Sequence, residues 1–335
     1  MAAERDWERR IGGRLKLRDL HILSKVVEWG SMVKAASHLG MSQPAVSEAI
    51  ANLEAALRVR LLDRNARGIE PTIYAATLLK RERVVFDELQ QGIKEIEFLL
   101  NPEAGEVRLG TSEILAAGLV PKVIDRLLRR YPKIFVRVSL VDTATVEFRE
   151  LRDRNVELLL ARVPESLVDD DINIEVFFDD PHFVAAGASN PWVRRRNVNL
   201  ADLVNEAWVF PKGQVVRGII ADAFRADGLP MPNEHVTTDT VHIRNHLLAT
   251  GRFLTIIAGS VLHYNARQWS LKALPIDLRA KPRPHAIVTL KNRTLNPVAE
   301  LFVRELKAAA NFSLSKCPAV PVAYRSDGAP TEFPP

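Results

Sequence analysis

Apolar and polar positions follow three regimes along this chain. Up to Leu61 the apolar residues recur every three or four positions: Leu20, Ile22, Leu23 and Val26, then Ala35, Ala36 and Leu39, then Val46, Ile50 and Leu53. That spacing predicts short amphipathic helices. From Ile73 to Leu100 the period continues through Leu78, Val85, Leu89, Ile93, Ile96 and Leu100, with charges of both signs opposite. One long helix with a coiled-coil seam is expected there, ending at the breaker-rich Asn101-Pro102-Glu103-Ala104-Gly105. From Glu106 short apolar runs alternate with helical periods. EVRLGT, FVRVSLV, VELLLARV, INIEVFF, FVAAG, AWVF, FLTIIA, LKALPI and HAIVTLK read as strands. Ser112–Arg130, Thr145–Arg154, Leu200–Asn205, Val216–Asp227, Thr240–Thr250 and Pro297–Ala310 read as helical. Such alternation predicts mostly parallel sheets with helices on both faces.

The first regime carries recognisable chemistry. In AASHLGMSQPAVSEAIANL, Gly40 suits the left-handed turn that ends a helix. Ser42 is an N-cap, and Pro44 falls in the first turn of the next helix, where its missing N–H costs nothing. Burying Val46, Ile50 and Leu53 turns Gln43, Ala45, Ser47 and Glu48 outward. Small and amide side chains at the start of a protruding helix suit base edges in a major groove, with Gln43 and Ser47 as the readers. The plainer reading is a helical hairpin within a core. Downstream, Asp63 to Thr72 (DRNARGIEPT) is a basic, glycine-containing hairpin, with Arg64 and Arg67 placed for phosphate.

This N-terminal unit resembles the LysR-type transcriptional regulators. The resemblance rests on Ala35, Ala36, Leu39, the run Ser42-Gln43-Pro44-Ala45-Val46-Ser47, Ile50, Leu53-Glu54, Leu57, Leu61, Arg64, Arg67-Gly68 and Thr72. Arg58, Leu62 and Ala75 depart from it, standing where the family has glycine, phenylalanine and glycine. The resemblance implies an α/β protein: a winged helix–turn–helix, a dimerising linker helix, and a two-subdomain domain shaped like a periplasmic binding protein. The expected boundaries are an arm at 1–14, the DNA-binding domain at 15–72, linker and hinge at 73–105, and the effector-binding domain at 106–312. Within the last, subdomain I comprises 106–180 and 282–312 and subdomain II 181–281, and a disordered, Pro-rich tail follows at 313–335. DNA contacts are expected from Met32, Ser42, Gln43, Pro44, Ala45, Ser47, Glu48, Arg64 and Arg67.

Composition narrows the class. The 335 residues suffice for two or three domains, and 47% hydrophobic with 26% charged residues is the make-up of a soluble globular protein. A net charge of +5 is compatible with a polyanionic partner. Cys317 is the one cysteine, so no disulfide forms within the chain, and a reducing cytoplasm fits. The charged N-terminus lacks the apolar core of a secretory signal, and no run reaches bilayer length. Arg5, Arg9, Arg10 and Arg14 of the arm are placed to touch phosphate, but the plainer and preferred reading is a solvated tail.

In such sheets ligands bind beyond the carboxyl ends of strands, between subdomains. That rule nominates Thr111-Ser112, Thr143, and Lys212-Gly213-Gln214, and helix N-termini beside Lys212 favour a small anionic effector. The plainer role of Ser and Thr at such places is helix capping. His242 and His246 are four apart on a helix but have no third ligand nearby in sequence, so no metal is expected. No nucleophile–base motif, P-loop or HExxH is present, so neither catalysis nor a cofactor is expected. The expected partners are double-stranded DNA, the effector, a second copy or a tetramer, and RNA polymerase. The rival readings are a solute-binding or transport protein, disfavoured by the absent signal, and an α/β enzyme fused to a DNA-binding module.

Overall fold

The computed structural model describes residues 15–65, 68–141, 147–163, 167, 169–281 and 283–314. The chain forms two compact units that divide between Gly92 and Ile93. The arm, Ala66-Arg67, Thr143 and residues 315–335 lie outside the described residues.

In the first unit, helices α1 (Leu17–Trp29), α2 (Met32–Leu39) and α3 (Gln43–Leu57) precede a hairpin of β1 (Leu62–Asn65) and β2 (Gly68–Pro71), and α4 (Ile73–Leu100) follows. Gly30 and Gly40 close α1 and α2 in the left-handed conformation. The Ser31 and Ser42 hydroxyls accept from Lys34 N and Ala45 N, capping α2 and α3. Leu23, Val26, Ala35, Val46 and Leu53 are wholly buried together, and the small Ala35 and Ala36 let the helices approach closely. The Glu54 carboxylate accepts from Leu61 N at 2.7 Å and Leu62 N at 3.4 Å, fixing where the hairpin leaves the helices. Thr72 caps α4 through Ala75 N and donates its hydroxyl proton to Arg60 O. Among the departures from the family pattern, Leu62 and Ala75 are buried in this core, and Arg58 ends α3 with φ 57°.

The second unit begins with the end of α4. Phe98 packs against the core of the sheet that follows, and Lys94 pairs with the buried Glu157 at 2.8 Å. Glu157 also accepts from Arg108 N and Asn296 Nδ2. Burial would raise its carboxyl, but these donors and the Lys94 charge hold it below the usual carboxylate range.

Two five-stranded sheets follow. In the first, β3 (Ala104–Thr111), β4 (Lys133–Leu140), β5 (Leu158–Arg162), β6 (Ile172–Asp180) and β12 (Arg283–Leu290) take the order β4-β3-β5-β12-β6. In the second, β7 (His182–Gly187), β8 (Ala207–Phe210), β9 (Glu234–Thr237), β10 (Phe253–Ala258) and β11 (Leu271–Ala273) take the order β11-β7-β10-β8-β9. The expectation of mostly parallel sheets is corrected: β12 runs antiparallel to β5 and β6, and β7 antiparallel to β10 and β11. The reason is the path of the chain. It passes from the first sheet to the second at Asp180-Pro181-His182 and re-enters on β12, and the strands flanking each crossing cannot both follow the βα direction.

The helices depart from expectation in three places. Ser112–Arg130 is not one helix but α5 (Glu113–Ala116) and α6 (Leu119–Arg130). The break falls at Gly118, where a Cβ would come within 3.0 Å of the Tyr264 ring. Tyr264 belongs to α10 (Gly259–Asn265), which, like β9, is too short to stand out by period. Of Thr145–Arg154 the described helical part is α7 (Arg149–Arg152), and Leu200–Asn205 contains a 3₁₀ turn at Leu200–Leu203. Helices α8 (Gln214–Ala226) and α9 (Val241–Ala249) fall within two residues of expectation. Helix α11 (Pro297–Leu314) runs past the expected Ala310 and into the first residues of the expected tail.

Candidate functional site

The first site is the start of α3. Val46, Ala49, Ile50 and Leu53 anchor the helix in the core, and Ser42, Gln43, Pro44 and Glu48 are exposed. Ala45 and Ser47, also expected outward, are half-buried. Met32 is corrected: its side chain is 6% exposed and lies in the helical core, because 32, 35 and 36 share the inner face of α2. The hairpin register pairs Arg64 with Ile69, and Ile69 N donates to Gly30 O, tying the wing to the end of α1. The Arg64 side chain and the whole of Arg67 lie outside the described residues. An exposed amide in the first turn of a capped helix, beside a tethered hairpin, is placed to enter a groove.

The second site is the junction of the two sheets. Thr111-Ser112-Glu113 follows β3, and Arg162 ends β5. Opposite them, Lys212-Gly213 follows β8, and Asp239-Thr240-Val241 leads from β9 into α9. These are carboxyl ends of strands in both sheets. They are joined directly, since Glu113 Oε1 accepts from Val241 N at 2.8 Å. Lys212 and Gly213 are exposed, and Lys212 N donates to Asp239 Oδ1 at 2.9 Å. The Gln214 side chain lies outside the described residues, though its backbone starts α8. Thr111 is corrected. It is wholly buried and its hydroxyl points back to Ser112 O, so it faces the core rather than a ligand. The Ser112 Oγ is buried without a hydrogen-bond partner among the described residues.

Five titratable residues at this junction, Asp180, Arg162, His182, His285 and Arg244, escape a reading by strand ends alone. Asp180 is wholly buried and accepts from Ser260 N at 2.9 Å, Ser260 Oγ at 2.6 Å and Arg162 Nη2 at 3.1 Å. His285 Nε2 lies 3.0 Å from the same carboxylate, and Arg162 Nη1 lies 3.0 Å from His182 Nε2. Burial would raise the Asp180 carboxyl, but His285, Arg162 and Ser260 hold it far below the usual range. Burial and the neighbouring Arg162 push His182 down to about 3. Burial also lowers His285, against the hydrogen bond to Asp180. Both histidines are therefore neutral at pH 7. Arg244, on the inner face of α9 with Val241, Asn245 and Leu248, is 5% exposed, and its Nε has no partner among the described residues. Burial pushes it down to about 10, with Glu113 attracting and Arg162 repelling. A signal for these residues exists in the sequence: Arg244 interrupts an apolar helix face and Arg162 ends an otherwise apolar strand.

His242 and His246 bring their Nε2 atoms within 3.3 Å, and both rings pack against Trp269. Among the described residues no group of three or more His, Cys, Asp or Glu is placed to hold a metal, and no helix is long and apolar enough to cross a membrane.

Comparison with known proteins agrees with this geometry. Residues 17–76 match the family described as bacterial regulatory helix-turn-helix protein, lysR family, and residues 101–311 match the LysR substrate binding domain. The HTH-type transcriptional regulator GbpR of Azospirillum brasilense is 28% identical over 310 residues, covering 92% of this chain and 90% of that protein. The transcriptional dual regulator GltC of Bacillus subtilis is 28% identical over 292 residues, covering 86% and 95%. Among solved structures, full-length CbnR complexed with its target DNA superposes with a TM-score of 0.58 at 20% identity, covering 88% of this chain and 100% of that one. A full-length OxyR from Pseudomonas aeruginosa gives 0.59 at 18% identity, covering 89% and 95%. At these identities the structures speak to the fold.

Proposed function

Because this chain belongs to the LysR family of bacterial transcriptional regulators, we propose that it acts on DNA as a dimer set by a small anionic effector. Gln43, with Ser42, Pro44, Ala45, Ser47 and Glu48 around it, reads bases, and Arg64 and Arg67 of the wing hold phosphates. The exposed seam of α4 pairs two copies, and two dimers form a tetramer on an interrupted inverted repeat. The effector sits where the two sheets meet, between Ser112 on one side and Lys212 to Gln214 on the other, and Thr143, outside the described residues, is a further contact. The Ser112 hydroxyl, without a hydrogen-bond partner among the described residues, supports this placement. Contact with RNA polymerase, in the cytoplasm, completes the role.

One observation carries the DNA reading: Gln43 is exposed in the first turn of a helix whose other face is fully buried. Recovering the genomic fragments that the purified protein retains yields the repeat. On that site Gln43→Ala costs roughly 1–3 kcal/mol and on unrelated DNA almost nothing. Equal weakening on both DNAs removes Gln43 from the base readers.

A further inference from the structure

We propose that Arg244 anchors the anionic group of the effector, and that Glu113 holds its place in the ligand-free protein. The proposal rests on the anionic-effector reading above and names the two residues that carry out the exchange.

The argument starts from Arg244. A guanidinium has five N–H donors, and a buried one needs acceptors for them. Arg244 is 5% exposed, yet its Nε has no hydrogen-bond partner among the described residues. The charges acting on it are Glu113, which attracts, and Arg162, which repels. Arg162 is committed elsewhere, to Asp180 and His182. Its positive charge makes the surroundings of Arg244 still less favourable for a lone cation. A fold with no use for this charge would place an apolar side chain here, as it does with Val241 and Leu248 on the same face of α9.

The attracting partner is itself spanning the junction. Glu113 starts α5 in the first sheet's layer, and its Oε1 accepts from Val241 N, the first residue of α9 in the second. A carboxylate from one lobe thus meets the amino-terminal end of a nine-residue helix of the other, one turn from Arg244. A small carboxylate or phosphate offers the same charge and the same acceptor atoms. It also brings an acceptor oxygen for the guanidinium Nε and one for the Ser112 hydroxyl beside Glu113, both without a hydrogen-bond partner among the described residues. Binding replaces an internal anion by an external one. The direct tie between the lobes at Glu113 is released, and a tie through the ligand takes its place.

The test uses the full-length protein and three probes, succinate, citrate and inorganic phosphate, titrated by calorimetry. The wild type binds at least one of them. Arg244→Met weakens that binding roughly ten- to hundredfold, the usual range for a lost charge-assisted hydrogen bond. Glu113→Gln tightens it, because the competing carboxylate is gone. An anion that binds wild type and Arg244→Met equally leaves the anionic-effector reading standing and overturns the anchor. If none of the three binds the wild type, both fall. Should Arg244→Met fail to fold, Glu113→Gln decides alone: tighter binding supports the exchange and unchanged binding overturns it.

Discussion

Arg58 is one of five described non-glycine residues, with Phe148, Arg154, Ser270 and Arg279, that hold a positive φ their side chains disfavour. It ends α3 with φ 57° and ψ 34°, a left-handed turn that costs an L residue about 1–2 kcal/mol. Glycine takes that turn freely but loses more freedom on folding, so Arg58→Gly stabilises the first unit by only about 1 kcal/mol. A lower urea midpoint in the variant would mean that Arg58 makes contacts outweighing its strain. The departure from glycine at this position was legible in the sequence, and so was the capping by Ser42. The direction in which a residue at an element's edge points was less so. Met32 and Thr111 both stand at the boundary of an element and both turn inward, Met32 by helical phase with Ala35 and Ala36, and Thr111 by the alternation of β3. Arg244 and Arg162 are not legible as buried, because a charge in an apolar run reads as a surface residue until its neighbours in space are known.

At the scale of elements, α4 is the clearest case of sequence dictating structure: apolar residues recurring at threes, fours and a seven, and one helix from Ile73 to Leu100. Its seam stays open along the middle and end, with Leu89, Ile93 and Ile96 each roughly half exposed. Burying the exposed half of one such side chain between two copies contributes about 1 kcal/mol. Leu89→Glu together with Ile93→Glu therefore separates the dimer, and sedimentation velocity reports the halved mass. An unchanged mass would place the pairing surface elsewhere. Short elements were harder to read. The stop between α5 and α6 is set by the Tyr264 ring pressing on Gly118, a contact between residues far apart in sequence. Gly187 is a second such place, since a Cβ there would meet Leu248 O at 2.0 Å, which brings β7 hard against the end of α9.

At the scale of the whole molecule, the two lobes of the second unit are linked by a buried polar network with a definite pH dependence. His182 is held at about 3 when folded, so below its ordinary value of 6.5 the unfolded chain takes up a proton that the folded chain refuses. Stability from this group is complete above the ordinary histidine pKa and declines as the pH falls below it. Asp180, depressed by His285, Arg162 and Ser260, adds a further loss once the pH drops below the ordinary carboxylate value. Each group contributes a slope of at most about 1.4 kcal/mol per pH unit. The urea midpoint of the second unit accordingly falls between pH 7 and pH 5, and His182→Gln flattens that fall. The same slope in wild type and variant would exclude His182 as its source. The place of the crossing between lobes was legible at Asp180-Pro181, but the direction of the strands on either side was not, because periodicity carries no sign. The ladder adds something about the chain's plan. Asp180, where β6 ends, and Arg283, where β12 begins, are direct partners across the strands. Everything between them is thus one insertion whose entrance and exit stand side by side. Such a lobe is a cassette: another module with adjacent ends can be spliced in its place, and the host sheet keeps all five strands and their spacing. What the exchange takes away is the lobe's share of the ties: Ser260, which donates twice to the wholly buried Asp180 carboxylate, His182 beside Arg162, and Val241 N, which donates to Glu113. Compatibility of a replacement is decided by whether it brings its own partners to these groups, and not by the length of any connecting loop.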